Sequence, residues 1–395
     1  MEARKKRRNL EYIENKKDRK QSKKWKYICL IMAAIMIFIY YQVYILLNYT
    51  IGRDVTENQI SLYKWMVSKV NKEEVVNKTT ELDIAVLGNI KVKGEILKSY
   101  SNKGVVDYSG IFENLSFDGY DFTIANLNTS VVLDEKPEGK FYSNNKLIKE
   151  LKNIDIDLLV TANQELGEQK DKIIEETLKE VSGQGLNYVG SHVNITDKSY
   201  YIVDKNDIKV AILAYVDKDY TDNNSLIVYS KKQLNNDIKE LKKEKVDCII
   251  AFVDTLRSNQ VKVKEEKSSI LQEILNEGVD VVISNDTVEQ KLYQNTEKTK
   301  YIKYSLGDVI GLQETDGSDI SGVLEISVKK HVRAEKKKIT FEVKEDKTLV
   351  ALSNSDMTKY KIVDLDKEIL NFDETSDKIT VAEYNYLKKV KEKLK

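Results

Sequence analysis

Histidine is scarce in this chain, whose 395 residues include only two, His192 and His331. Water-activating metal centres commonly use imidazole ligands, and Ser–His or Cys–His nucleophile pairs need an imidazole beside the nucleophile. We expect His192 to be a hydrogen-bonded or surface residue and His331 to be solvated. Two histidines give little support for a histidine-bearing dinuclear metal centre or for nucleophile–histidine pairs.

Cysteine and proline are almost absent as well. Cys29 lies in a long apolar run and Cys248 in an apolar strand pattern, so we expect no disulfide between them. Two cysteines also exclude a multi-cysteine metal site, and the single proline, Pro137, argues against a proline-rich stalk. The phosphate-binding patterns Gly-x4-Gly-Lys and Gly-x-Gly-x-x-Gly after a strand do not occur.

One long apolar run stands near the start of the chain: YICLIMAAIMIFIYYQVYILL, residues 27–47. Its 21 residues span about 31 Å as a helix, enough to cross a bilayer. Residues 1–26 hold twelve Lys/Arg against four Asp/Glu, and basic residues beside a span stay cytoplasmic more often than they bind nucleic acid. The sequence predicts a single-pass cell-membrane protein with a cytoplasmic tail (1–26), a transmembrane helix (27–47), an extracellular remainder and no nucleic-acid partner.

Beyond the span, residues 48–80 have the composition of a polar stem with a short amphipathic helix. From Leu82 onward apolar strand patterns alternate with helical ones, and 199–216 reads as a hairpin. Val/Ile/Leu-rich strands joined by helices are covered on both faces, and hairpins add antiparallel strands. We therefore predict an α/β sandwich with mixed sheets over 81–330, followed by a small β/helical extension over 331–395.

Several apolar strand patterns end in polar side chains, and ligands in α/β sheets bind beyond such carboxyl ends. Any single Asn or Asp there can be a turn former, but five strands ending alike favour a common polar cleft. The candidate cleft residues are Asn89, Asn126, Asn128, Asn163, Glu165, Asp254, Asn285, Asp286 and Asp308.

The order of these motifs resembles the CapA/PgsA family of bacterial capsule (poly-γ-glutamate) synthesis proteins, whose domain is similar to a calcineurin-type metallophosphoesterase. The resemblance covers roughly residues 82–330 and implies a metallophosphatase-like fold. Tyr304–Gly307 keeps the family's Tyr-Ser-Leu-Gly-Asn signature, with Asp308 in place of Asn. The family's other motifs correspond to Gly88-Asn89 (Gly-Asp), Asn126–Asn128 (Asn-Leu-Glu), Ala162–Glu165 (Ala-Asn-Asn-His), Asp254 (His-Trp-Gly) and Ser284–Val288 (Gly-His-x-Pro-His).

The departures from the family pattern remove metal ligands. Glu165 and Asp254 stand where the family has histidines, Asp286 lies beside a third such position, and Asn89 and Asn128 replace carboxylates. An all-oxygen cluster of this kind suits Mg²⁺, Mn²⁺ or Ca²⁺, with Glu165, Asp254 and Asp286 as the possible ligands. A wet cleft whose replaced ligands happen to be acidic is the simpler alternative.

The resemblance implies a role in the synthesis or export of capsule or another surface polymer. We predict a non-catalytic protein that binds an anionic surface polymer or assembles with polymer-synthesis membrane proteins. The alternatives are a divergent metal-dependent hydrolase and an unrelated sensor or wall-attachment protein on the same scaffold.

Overall fold

The computed structural model describes the following residues: 24–28, 30–44, 78–93, 96, 101–102, 105–106, 108–113, 115–132, 141–194, 198–217, 224–258, 260–311, 317–333, 336–353, 360–375 and 379–394. The chain divides into two compact units, Met1–Val75 and Val76–Lys395. The basic tail up to residue 23 and most of the predicted stem lie outside the described residues.

In the described part of the first unit, one helix, α1 (Lys24–Tyr44), is long and apolar enough to cross a membrane. Its 21 residues give a length of about 31 Å. Large apolar side chains along it, such as Ile31 and Met36, are exposed, and none of its apolar stretch is buried in the protein. The helix overlaps the predicted span 27–47, whose last three residues are outside the described part.

The second unit is built from strands and helices in alternation. Its strands are β1 Lys78–Ile90, β2 Ser101–Asn102, β3 Val105–Val106, β4 Phe122–Leu127, β5 Ser130–Val131, β6 Tyr142–Ser143, β7 Leu158–Val160, β8 Asn187–Val189, β9 Tyr200–Lys205, β10 Ile208–Val216, β11 Cys248–Asp254, β12 Val281–Ser284, β13 Glu289–Gln294, β14 Tyr301–Leu306, β15 Asp308–Ile310, β16 Ile320–Arg333, β17 Lys336–Ser353 and β18 Tyr360–Asp364. Its α-helices are α2 Lys146–Asn153, α3 Gln164–Gly167, α4 Asp171–Gly183, α5 Lys231–Glu244, α6 Glu265–Asn276, α7 Leu365–Leu370 and α8 Val381–Lys393.

Two mixed sheets form the framework of this unit. Sheet 1 has the order β18-β17-β16-β1-β4-β7-β8, with β15 paired to β1, and sheet 2 has the order β13-β14-β12-β11-β10-β9. Strands β1, β4, β7 and β8 are parallel, as are β10, β11, β12 and β14, whereas β16, β17, β9 and β13 join as antiparallel strands. The predicted α/β sandwich with mixed sheets is confirmed.

Strand β1 shows why its continuous apolar sequence is a central strand. Leu82, Ile84 and Val86 point to the core that contains residues of both sheets, while Ala85 and Leu87 point to the opposite core. This alternation is the two-residue period of a strand buried on both faces. Helix α2 covers the outer face of sheet 1, and α5 and α6 cover that of sheet 2, giving an α/β/β/α layering.

The chain passes from sheet 2 to sheet 1 at the Tyr-Ser-Leu-Gly-Asp stretch. Strand β14 belongs to sheet 2, Gly307 follows with φ +76°, and β15 then pairs with β1 so that Asp308 lies opposite Asn89. The Asn89 backbone N–H donates to the Gly307 carbonyl at 3.0 Å, and a Cβ on Gly88 would lie 2.1 Å from that oxygen. Both glycines are required, one for its left-handed backbone and one for the close approach.

The C-terminal strands extend sheet 1. The boundary predicted after residue 330 falls inside β16, whose pairing with β1 continues to Val332 opposite Lys78. Strand β17 pairs along β16, β18 adds to β17, and α7 and α8 pack on the apolar side chains at this end. Sequence alternation shows strands but not their partners, which is why this extension resembled a separate subdomain.

Substituting Gly88 by alanine tests the close approach of the Gly88 and Gly307 backbones. We expect Gly88→Ala to lower the free energy of unfolding by about 2 kcal/mol or more, because backbone must move to admit the methyl group. Chemical denaturation of the detergent-solubilised chain measures the change. Gly183→Ala, where a Cβ meets nothing within 4 Å, is the matched control and should be close to neutral. Equal stabilities of the two variants would contradict the close approach.

Candidate functional site

The polar ends of β1, β4 and β7 meet at one edge of sheet 1 and are joined by asparagines. Asn126 donates its Nδ2 to Asn89 Oδ1 at 3.0 Å, and Asn163 donates to Asn126 Oδ1 at 3.2 Å. Asn163 also caps α3, since its Oδ1 accepts from the Leu166 amide. All three side chains are buried. The predicted clustering of Asn89, Asn126 and Asn163 is therefore what the structure shows.

Arg257 lies between Glu165 of α3 and Asp254 at the end of β11. Its Nη1 and Nη2 lie 2.5 and 2.8 Å from the two Glu165 oxygens, and its Nε donates to Asp254 Oδ1 at 2.8 Å. Nη2 also contacts Asp254 Oδ2. Asn128 Nδ2 donates to Glu165 Oε2 at 2.9 Å, and the backbone N–H of Gln164 donates to Asp254 Oδ2 at 2.8 Å. A guanidinium thus occupies the space between the two carboxylates.

A second buried cation, Lys91, follows directly after β1. Its Nζ lies 3.4 Å from Glu165 Oε1 and 3.2 Å from Asp308 Oδ1. Asp308 Oδ1 also accepts from Asn89 Nδ2 at 2.7 Å. Lys91 therefore joins the Asp308 carboxylate to the Glu165 carboxylate that Arg257 holds.

A third cation, Lys267 on α6, serves Asp286. Its side chain is fully buried, its Nζ lies 3.7 Å from Asp286 Oδ2, and it donates to the Asn285 carbonyl at 2.9 Å. Asp286 Oδ2 further accepts from the Ser258 amide at 2.9 Å and from Gln290 Nε2 at 3.1 Å. These contacts give the Asp286 carboxylate its own set of partners.

Burial and the neighbouring charges shift the pKa values of these side chains. Burial alone raises the pKa of Glu165, but Arg257 and Lys91 outweigh it and hold that pKa far below its usual range. Burial lowers the pKa of Arg257, but Asp254 and Glu165 outweigh it and leave that pKa well above its usual value. Burial raises the pKa of Asp308 to about 6 and lowers that of Lys267 to about 8. Glu165 and Arg257 therefore each favour the charged form of the other.

A cavity of about 20 Å³ lies among these strand ends, which is room for about one water molecule. Its lining includes Asn89, Asn126, Asp254, Ser284 and Asn285. Ser284 Oγ and Asn285 Nδ2 are buried without a hydrogen-bond partner. The polar end of β12 thus forms one wall of this space.

The donor set does not fit the dinuclear metal site that the resemblance implies. Among the described residues, no group of three or more His, Cys, Asp or Glu is placed to hold a metal ion. Of the possible ligands, Glu165 and Asp254 face Arg257, and Asp286 faces Lys267, Ser258 and Gln290. Positive side chains stand where cations would have to bind.

His331 lies near the start of β1, away from its polar end, and His192 follows β8. His331 is opposite Thr79 in the β1–β16 ladder, with its Nδ1 3.0 Å from Thr79 Oγ1, so it is hydrogen-bonded rather than simply solvated. Asn89 lies ten positions after Thr79 in β1, roughly 33 Å along the strand. His192 is half-buried after β8, and its amide donates to the Ser225 carbonyl.

Sequence reasoning missed the three cations. One signal was present for Lys267: it occupies the first position of the buried face Lys267, Leu271, Ile274 and Leu275 of α6, where an apolar residue is expected. A lysine on such a face needs a buried carboxylate. Nothing in the sequence indicated that Arg257 or Lys91 would turn inward.

The fold and this site define an α/β sandwich protein whose buried carboxylates at the strand ends are paired with the protein's own Lys and Arg side chains. The sequence profile of the bacterial capsule synthesis protein PGA_cap family matches residues 83–313, more than half of the chain. The chain belongs to this family, as the resemblance indicated. No curated protein matches the chain significantly in sequence.

Similar solved structures include a phosphatase from Mycoplasma pneumoniae (12% identity, 68% of this chain and 96% of that chain, TM-score 0.38). Another is the calcineurin-like phosphoesterase YfkN from Bacillus subtilis (14% identity, 68% and 91%, TM-score 0.38). A hypothetical protein from Thermus thermophilus is similar to the same extent (10% identity, 67% and 100%, TM-score 0.39).

The raised pKa of Asp308 gives a pH-dependence prediction. Between about pH 4 and pH 6 the folded chain binds a proton at Asp308 that the unfolded chain lacks, so this residue's contribution to stability decreases as pH rises through that window. Asp308→Asn removes the dependence. We expect its stability relative to wild type to increase from about pH 4 to pH 7, by up to about 3 kcal/mol.

Chemical denaturation of the detergent-solubilised chain across this pH range provides the measurement. The exposed carboxylate of Asp118 offers the control, since Asp118→Asn should leave the wild-type profile unchanged. Parallel wild-type and Asp308→Asn profiles would show that Asp308 is not the titrating group.

Proposed function

We propose that the chain is a membrane-anchored capsule synthesis protein whose second unit faces outward and acts by assembly, not by hydrolysis. Family membership supports the role in capsule synthesis, since the matched region covers most of the second unit. The partners are polymer-synthesis membrane proteins, and direct capture of an anionic surface polymer is the other outcome that binding experiments would reveal.

The observation that carries the non-hydrolytic part is the position of Arg257. A metallohydrolase needs open coordination positions on its metal ions, with carboxylate or imidazole ligands free to bind them. Here the guanidinium takes both oxygens of Glu165 and both of Asp254. The adjoining cavity of about 20 Å³ is far smaller than the several hundred Å³ typical of ligand pockets.

The outward orientation is supported by charge. Residues 1–26 carry a strong excess of Lys and Arg directly before α1, and such residues stay on the cytoplasmic side. With a single crossing, the second unit then lies on the outer face of the membrane. Membrane partners within reach of a tethered domain benefit from a high effective concentration.

Cysteine labelling tests the orientation. The native Cys248 is buried, so a membrane-impermeant maleimide should report on introduced cysteines. We expect Leu370→Cys, at a side chain that is 84% exposed, to be labelled in intact cells. Arg4→Cys should be labelled only after permeabilisation. The reverse pattern would place the second unit in the cytoplasm.

Complementation combined with a hydrolysis assay tests the non-hydrolytic role. In a strain lacking the gene, wild-type protein should restore surface polymer, measured by extraction and by capsule staining. The purified full-length chain should hydrolyse neither phosphomonoesters nor phosphodiesters, with or without Mn²⁺. Metal-dependent hydrolysis that Glu165→Gln and Asp254→Asn both abolish would establish the divergent hydrolase instead. Failure of complementation would refute the capsule role.

A further inference from the structure

We propose that Arg257 replaces a bound divalent cation, so that its guanidinium holds the acidic ends of the two sheets together without any metal ion. The inference goes beyond the proposed function, because it concerns how this centre is neutralised whatever the protein assembles with. It assigns Glu165 and Asp254 as a latent cation site that this chain keeps occupied with its own side chain.

The two carboxylates that Arg257 contacts lie at the ends of different sheets. Glu165 follows β7 of sheet 1, whereas Asp254 is the last residue of β11 in sheet 2. Arg257 contacts both carboxylates through its three nitrogens, which join the two sheets at this point. A planar fork of donors is suited to two carboxylates on different elements, as a metal ion with several ligands would be.

The buried carboxylates of Glu165 and Asp254 need a positive partner. The side chains of Glu165 and Asp254 are only 10% and 2% exposed, so neither carboxylate can rely on water. Lys91 does not replace Arg257, because it also serves the buried Asp308. Without Arg257 the pair would be two like charges in a dry environment, which is strongly unfavourable.

The oxygen atoms around Arg257 are of the kind that bind divalent cations. Two carboxylates offer the hard oxygen ligands that Mn²⁺, Mg²⁺ and Ca²⁺ prefer. Beside Glu165, Asn128 is fully buried and its Oδ1 has no hydrogen-bond partner, so one more oxygen is available there. Removal of the guanidinium would therefore leave a space with the charge and the donors of a divalent-cation site.

Thermal unfolding of the full-length chain in detergent, in EDTA and in excess MnCl₂, tests this inference. Arg257→Ala should lower the Tm in EDTA by about 5 °C or more, and Mn²⁺ should restore at least half of that loss. The desalted variant should retain stoichiometric Mn²⁺ by elemental analysis. Wild type and the exposed-arginine control Arg333→Ala should show no Mn²⁺ effect and no bound metal.

Second-site variants identify the ligands and cover a failure to fold. Arg257→Ala combined with Glu165→Gln should lose the Mn²⁺ response. If Arg257→Ala yields no folded protein in either condition, the neutral triple variant Glu165→Gln, Asp254→Asn, Arg257→Met decides. Its folding would show that Arg257 is needed as a counter-charge, and its failure to fold would overturn the proposal.

Two other results would also overturn it. One is stoichiometric metal, or stabilisation by Mn²⁺, in the wild-type chain. The other is a folded Arg257→Ala variant without any Mn²⁺ response. The second result leaves the proposed function intact, because complementation by wild type does not depend on how the variant responds to cations.

Discussion

Charge pairing at the junction of the two sheets is the constraint on which the rest of the centre depends. Four buried carboxylates, Glu165, Asp254, Asp286 and Asp308, face three buried cations within the described residues. Buried charges persist only when they are paired and hydrogen-bonded. The positions of Lys91, Arg257 and Lys267 follow from this requirement, as do the asparagines that use the remaining oxygens.

The junction itself exists because the backbone can cross between the sheets. Gly307 turns the chain out of β14, and Gly88 leaves the space in which the Gly307 carbonyl meets the Asn89 amide. This close approach places Asp308 next to Asn89 and Lys91. The glycine and serine positions of the Tyr-Ser-Leu-Gly stretch therefore have a structural explanation that requires no metal: Ser305 accepts from the Gly307 amide and donates to the Asp286 carbonyl.

The sequence was sufficient for the layers and the location of the centre. Apolar runs such as 83–90 and 246–255 predict strands buried on both faces, and they form central strands of sheet 1 and of sheet 2. Strand partners were less predictable, because alternation in 336–353 fits any neighbour and β17 turned out to continue sheet 1. Arg257 was not predictable, since nothing local distinguishes it in Asp-Thr-Leu-Arg from a solvated arginine.

Family membership therefore does not determine the chemistry of the site in this chain. The profile match spans residues 83–313, which include the strands and the two glycines of the junction. The chemistry depends on which side chains supply positive charge, and in the proposal above the Arg257 guanidinium satisfies the carboxylates that a divalent cation would otherwise bind. With Arg257 providing that charge, no metal ion is needed between Glu165 and Asp254, and therefore no imidazole or further acidic ligand to hold one. Asparagine at positions 89 and 128 is then the expected consequence, because additional buried carboxylates would have no counter-charge.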